Sequence, residues 1–304
     1  MNARTERSSA RAGMTSPLAP IAVFAYRRAR SLARTLDDLQ ACAEYAASPV
    51  YVFSDGAKND AARRDVAAVR EMLARRRTPN MTIVESPENR GLARSIIDGV
   101  DRLTGEYGRV IVIEDDLRLS PLTLAWFNRA LEAYEHDERV MQVSAHVHTV
   151  PALRRTDTAF FLPFTTTWGW ATWRRAWDRF DPAAEGWEAL KTDATLARRF
   201  DVDGAFQYSR MMISQMEAGL DSWGIRFYWT VAMSSGLVLF PPVSLVKNHG
   251  IDLKATHGVK SLAISALKSL GRAYPRALPR FPSTVEIDVK ALDLIRVALR
   301  RRSF

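Results

Sequence analysis

The sequence predicts an α/β fold: a mostly parallel sheet with helices on both faces, gathered into a single domain. Three observations predict it. Four short apolar runs within the first 113 residues lack the polar alternation of a half-exposed strand, so each reads as buried on both faces. Stretches with apolar residues at helical spacing separate them. The chain of 304 residues, 47% apolar and 25% charged, has the length for one large domain and the balance of an ordinary globular protein.

The elements follow in order. Residues 1–17 carry arginines without an apolar core and read as a disordered lead-in rather than a secretory signal. After Pro20, residues 21–26 form a buried strand. Leu32, Leu36, Leu39 and Ala43 recur at helical spacing and predict a helix over 29–47, stopped by Pro49. Residues 50–53 are the next strand, and Asp55-Gly56 marks a turn. A very basic helix over 60–77, a strand over 81–84, a helix over 92–103 and a strand over 109–113 complete the regular part. The remainder is less periodic. It predicts a helix over 121–135, a strand over 140–145, an aromatic segment over 160–177, helical stretches near Trp187 and over 205–218, and strands over 236–240 and 244–247. One folded domain is therefore expected over 18–258, followed by a tail over 259–304.

That tail ends in an amphipathic helix from Glu286. Val289, Leu292, Ile295 and Leu299 share its apolar face, followed by Arg296, Arg300, Arg301 and Arg302. Docking on its own domain is the favoured reading. Peripheral contact with an anionic membrane is the alternative. No run approaches the roughly 18 apolar residues of a membrane span, so the expected location is the cytoplasm, with the inner membrane face as a further possibility.

A net charge of +9 favours anionic partners. No helix-turn-helix, zinc-finger spacing or aromatic-basic signature accompanies it, so nucleic acid is not an expected partner. Cys42 is the single cysteine, which excludes an intramolecular disulfide, and it lies in a helical stretch as a buried, inert thiol.

In sheets of this kind ligands gather at the carboxyl ends of the strands. Four segments occupy those ends: Tyr26-Arg27-Arg28, Ser54-Asp55-Gly56, residues 85–91, and Glu114-Asp115-Asp116. The last follows directly on the most apolar strand. Three adjacent carboxylates repel one another unless a cation compensates them. A divalent Mn2+ or Mg2+, held by one or two carboxylates and by substrate phosphates, meets that demand and neutralises charge on a departing diphosphate. A solvated acidic loop is the plainer alternative.

The motifs FSDGA, SPENRGLARSI and IVIEDDL, in this order, resemble the GT-A fold glycosyltransferases, above all the bacterial family 2 type and the N-acetylglucosaminyltransferase I type. The similarity runs over residues 20–257. It implies a nucleoside-diphosphate sugar donor, uridine-linked, and a glycan or lipid-linked acceptor. It further implies inverting transfer and a place in cell-surface polysaccharide or lipopolysaccharide synthesis. By the same resemblance Asp116 is the metal ligand, Asp115 reaches the donor ribose or sugar, and Glu114 bonds the donor sugar. Arg28 stands where the family has an arginine near the nucleotide phosphates. Relatives often carry Asn-Arg-Pro where this chain has Arg27-Arg28-Ala29, so which arginine turns inward stays open. Asp55 matches the acid that bonds the base. Asn89, Gly91 and Arg94 match a segment at a helix start, where free amides and the positive dipole end suit an anion.

Three tryptophans, Trp168, Trp170 and Trp173, fall within six residues, and Trp177 follows. So dense a set is often core, but the resemblance places Trp168 and Trp170 beside donor sugar and acceptor. An inverting transfer needs a base for the acceptor hydroxyl. Asp221, in Gly-Leu-Asp-Ser-Trp, resembles the family's acid-Trp segment; a helix cap is its alternative role, and Glu217 is the reserve. Residues 248–258 resemble the closing segment in which His257 would add a metal ligand. His146 and His148, after a strand end, could touch acceptor. A sugar-phosphate nucleotidyltransferase would need a glycine-rich loop after the first strand, which FAYRRARSLARTL lacks. A non-catalytic carbohydrate binder would have lost the acids, and all three are present.

Overall fold

A computed structural model describes residues 17–219, 222–249 and 273–300. The expected helices and strands of the front half form where periodicity placed them. Strands β1 (Ile21–Ala25), β2 (Val50–Ser54), β3 (Met81–Glu85) and β4 (Arg109–Glu114) alternate with helices α1 (Ala29–Gln40), α2 (Asp60–Arg75) and α3 (Leu92–Tyr107). Helix α1 is shorter than predicted: it ends at Gln40, and a 3-10 turn over Tyr45–Ala47 covers the rest. In β1, Ala22 and Phe24 enter the core on one face of the sheet while Ile21, Val23 and Ala25 enter the other. That two-sided burial is why the run shows no polar alternation.

Next come β5 (Leu117–Leu119), α4 (Thr123–Ala133), β6 (Val140–Ser144), β7 (Phe160–Leu162), β8 (Trp170–Trp173) and α5 (Arg174–Trp177). The chain continues through α6 (Ala194–Phe200), α7 (Tyr208–Ala218), α8 (Trp223–Met233), β9 (Leu237–Phe240), β10 (Val246–Asn248) and α9 (Val289–Arg300). The main sheet runs β3-β2-β1-β4-β8-β6-β9-β7, and β10 pairs with β5 in a separate ribbon. Strands β3, β2, β1 and β4 are parallel; β8 is antiparallel to both β4 and β6.

The chain leaves β1 towards β3 on one side and returns to β4 on the other, so the strand order reverses between β1 and β4. A crevice opens at such a switch point. Register aligns the strand ends there, with Phe24 opposite Glu114 and Ser54 opposite both Ala25 and Glu85.

The C-terminal helix docks on its own domain. Ala291, Leu292, Ile295 and Leu299 are buried in the same core cluster as the sheet, and Arg296 pairs with Asp203 at 2.8 Å. Val289, expected on that face, is 62% exposed. No helix among the described residues is long and apolar enough to cross a membrane.

Candidate active site

Helix α1 braces the acidic triplet from behind. The Thr35 hydroxyl donates to the carbonyls of Asp115 (3.2 Å) and Leu117 (2.8 Å). Asp38 receives a two-pronged bond from Arg118 (2.5 and 2.9 Å) and the Leu119 amide (2.9 Å). On the far side the His249 amide donates to the Asp116 carbonyl at 2.9 Å, continuing the β5–β10 ladder. The turn after β4 is thus held on two sides.

Arg28, the residue before α1, meets its acids. Its guanidinium donates to Asp115 Oδ1 at 2.6 Å and to Asp116 Oδ2 at 2.8 Å. Of the two arginines in question it is therefore Arg28 that turns inward; Arg27 lies over the Tyr26 ring. Burial pushes the Asp115 carboxyl up to about 6, although Arg28 pulls the other way. Glu114, its residue only half-buried but its carboxyl crowded, is pushed up to about 8 by desolvation, then by Asp116 and Asp115, again against Arg28. Asp116 Oδ1 is buried and has no hydrogen-bond partner. An unmatched buried carboxylate oxygen beside two more acids is a position that calls for a cation.

Beyond β1, a cavity of about 480 Å³ opens between the ends of β2 and β3 and the first turns of α3. Asp55, Asn89, Arg90 and Arg94 line it. Asp55 does not present a free carboxylate to it. Its Oδ1 accepts from the amides of Gly56 and Arg90, both at 2.8 Å, and its Oδ2 from Asn89 Nδ2 (2.8 Å) and the Gly91 amide (3.1 Å). Four donors fill the in-plane lone pairs of a carboxylate, so direct bonding of a base by this group is at odds with the structure. The same bonds correct the expectation for the start of α3, because the amides of Arg90 and Gly91 are already taken by an anion of the protein. Gly91 adopts φ +78°, which suits glycine at this entry to the helix. A Cβ on Gly56 would lie 2.4 Å from the Glu88 carbonyl carbon, so the two loops touch backbone to backbone.

Periodicity did not single out Ser95, Asp98 and Arg102, which line the cavity too. Arg94, Asp98 and Arg102 form a polar stripe at i, i+4, i+8 on α3, with Ser95 beside it, a signal present in the sequence. Arg90 and Arg94 both pair with Asp98.

The tryptophans divide. Trp170 has no exposed surface and stacks on Trp223 at 4.8 Å, with Trp177 and Phe227 each at 5.8 Å. It is a core residue, against the expectation that it lines the pocket; the alternating pleat of β8 turns it inward. Trp173 and Trp177 are buried as well. Trp168, just before the strand, is half-buried and packs on His146 at 4.5 Å, with His148 beside it at 5.7 Å. Their segments are tied to each other and to the start of β10, since the Ala145 amide donates to the Gly169 carbonyl and the Leu245 amide to the Ala145 carbonyl. Partial desolvation, then Arg118, Lys247 and Arg34, hold the His249 imidazole below its ordinary value. Asp221 and His257 lie outside the described residues. Glu217 is on the surface, paired with Lys191 at 2.6 Å.

The sequence profile of the GNT-I family matches residues 2–189, more than half of the chain. The protein belongs to the GNT-I family. It is a glycosyltransferase, and its sheet, with four parallel strands and an acidic turn at the switch point, is the GT-A fold. Among solved structures this GNT-I family member resembles a mannosyltransferase from Pyrobaculum calidifontis in complex with GDP-Man and Mn2+. Identity there is 16%, over 73% of this chain and 76% of that one, with a TM-score of 0.39. A second is glucosyl-3-phosphoglycerate synthase from Mycobacterium tuberculosis in complex with Mn2+, UDP and glucosyl-3-phosphoglycerate, at 14% identity over 58% of this chain and 61% of that one, with a TM-score of 0.34. No curated protein matches the chain.

Proposed function

We propose that this glycosyltransferase moves a hexosyl or N-acetylhexosaminyl group from a uridine-linked nucleoside-diphosphate sugar to a hydroxyl of a glycan or lipid-linked acceptor. The transfer inverts the anomeric carbon and serves cell-surface polysaccharide or lipopolysaccharide synthesis. One observation supports it above the rest: at the switch point three crowded acids face one guanidinium, and a buried oxygen of Asp116 keeps no partner.

That oxygen fits a hard divalent cation, Mn2+ or Mg2+. Among the described residues no three His, Cys, Asp or Glu side chains form a metal cage. One carboxylate with substrate phosphates completing the shell is the ordinary pattern for such ions. Asp116 would hold it, and when bound it neutralises charge on the leaving diphosphate. The rest falls to the chain. The cavity beside Asn89 and Arg94 takes the nucleoside, and Asp55 keeps its walls in place. Glu114, at the end of β4 beside the other two acids, is the proposed hydrogen-bond partner of the donor sugar. Trp168, His146 and His148 offer an acceptor-side shelf. Asp221 is the proposed base on sequence grounds: it takes the acceptor hydroxyl's proton as that oxygen bonds the anomeric carbon and the bond to the diphosphate breaks.

Incubation with a panel of nucleotide sugars and candidate acceptors, with and without Mn2+, followed by mass analysis of products, tests this reading. A transferred sugar and free nucleoside diphosphate are expected. Formation of a nucleotide sugar from a sugar phosphate would make it a nucleotidyltransferase; binding without turnover would make it a carbohydrate-binding protein. Peripheral membrane contact is a separate proposal, carried by the outward Val289, Leu294 and Val297 of α9. Flotation with anionic vesicles, compared with a Val289→Ser, Leu294→Ser, Val297→Ser variant, tests it.

A further inference from the structure

We propose that Arg28 is the counter-cation of the metal-free site, and that its capture by the donor's diphosphate couples metal binding to nucleotide binding. The proposal rests on the reading of Asp116 as the metal ligand.

The geometry is specific. One planar guanidinium bridges two carboxylates, 2.6 Å from Asp115 and 2.8 Å from Asp116. Those acids are 5% and 8% exposed, whereas the Arg28 side chain is 44% exposed. The acids are fixed by the braced turn behind them, and the arginine approaches from the solvent side, so it is the arginine that can leave. It stands in the loop between β1 and α1, with φ −107° and ψ 62°, and makes no capping bond with its side chain. The Arg28 guanidinium spends its hydrogen bonds on the two acids.

A buried acid pair needs a compensating positive charge. Without metal, Arg28 supplies it, and in doing so it fills Asp116 Oδ2 and sets a positive charge beside the oxygen that a divalent ion would take. Metal entering alone meets repulsion and only half of a carboxylate. A diphosphate changes both conditions. It offers the guanidinium a fork of anionic oxygens, the geometry that arginine binds best, and Arg28 lies between the nucleoside cavity and the triplet. Once Arg28 turns to the phosphate, Asp116 presents both oxygens. Each ligand then raises the affinity for the other, and linkage makes the effect reciprocal.

A brace and a counter-cation predict opposite results for removal of the charge. Mn2+ binding to the full chain is measured by paramagnetic resonance of free Mn2+, alone, with saturating UDP or GDP, and with uridine, which lacks phosphate. The wild type is expected to bind Mn2+ weakly alone, more tightly with UDP or GDP, and no more tightly with uridine. Arg28→Gln is expected to bind Mn2+ alone about tenfold more tightly than wild type, within the usual range of about 5- to 150-fold for such couplings. The enhancement by nucleotide shrinks by the same factor. Arg28→Lys keeps the charge and loses the fork, and falls between; it carries the test if the glutamine variant fails to unfold cooperatively. Variants that bind Mn2+ alone no more tightly than wild type overturn the proposal while leaving Asp116 as metal ligand. A wild type that takes up no Mn2+ even with UDP or GDP overturns the metal reading itself, and this inference with it.

Discussion

Asp55 and Asp116 lie just past the ends of the two strands that flank β1, and their surroundings could hardly differ more. Asp55 accepts from three backbone amides and one side-chain amide. Asp116 has one guanidinium on Oδ2 and nothing on a buried Oδ1. A fully matched acid has no capacity left for a ligand and acts by holding its neighbours in place. An under-matched one stores the cost of its burial until a ligand arrives. The pair teaches that strand-end position alone does not make an acid part of the chemistry; hydrogen-bond accounting separates the two.

The largest test of that contrast is Asp116→Ala. Transfer should fall about a thousandfold, the several kcal/mol that a metal's charge stabilisation is worth. The unfolding midpoint should barely move, since Arg28 still pairs with Asp115. Near-normal transfer in this variant would remove the metal assignment. Trp170→Ala comes next, with a stability loss of about 4 kcal/mol for an emptied core site. Trp168→Ala should instead leave denaturant unfolding within about 1 kcal/mol and raise the acceptor KM.

Asp55→Ala should behave as the inverse of the Asp116 variant. It strands three amides of the 86–91 loop and its neighbour and should lower unfolding stability by about 3 kcal/mol, with nucleotide binding lost alongside. If urea unfolding of this variant matches wild type, the matched and unmatched acids are not distinct in kind. Gly56→Ala forces a Cβ onto the Glu88 backbone and should cost about 2 kcal/mol, again with a weakened nucleotide site. The smallest effect is at Cys42. Burial pushes its thiol up to about 12, so at pH 8 the thiolate is scarce and labelling by a disulfide reagent should be slow until the chain is unfolded; rapid labelling of the native protein would contradict its burial.

Much of this was legible in the residues. The four parallel strands could be read because each is apolar on both faces, and their order brought FSDGA and the IVIEDD run to one edge. The helix starting at Leu92 and the amphipathic helix near the C-terminus were visible from spacing alone. Helix α6 was not, because seven residues at the surface carry too short a period to read. The Trp168–Trp170 pair could not be sorted from sequence either, since two tryptophans one residue apart carry no sign of which face will be inner.

By itself the sequence determined the class of fold, the strand that delivers the acids and the presence of an arginine near them, because buried strands and strand-end polar residues are local patterns of period and composition. Tertiary structure decided which arginine faces the acids, which acid is already satisfied and which tryptophan is buried in the core. Those outcomes depend on partners as distant as Arg28 and Asp115, 87 positions apart in the chain, and a hydrogen-bond ledger exists only once such segments have been brought together.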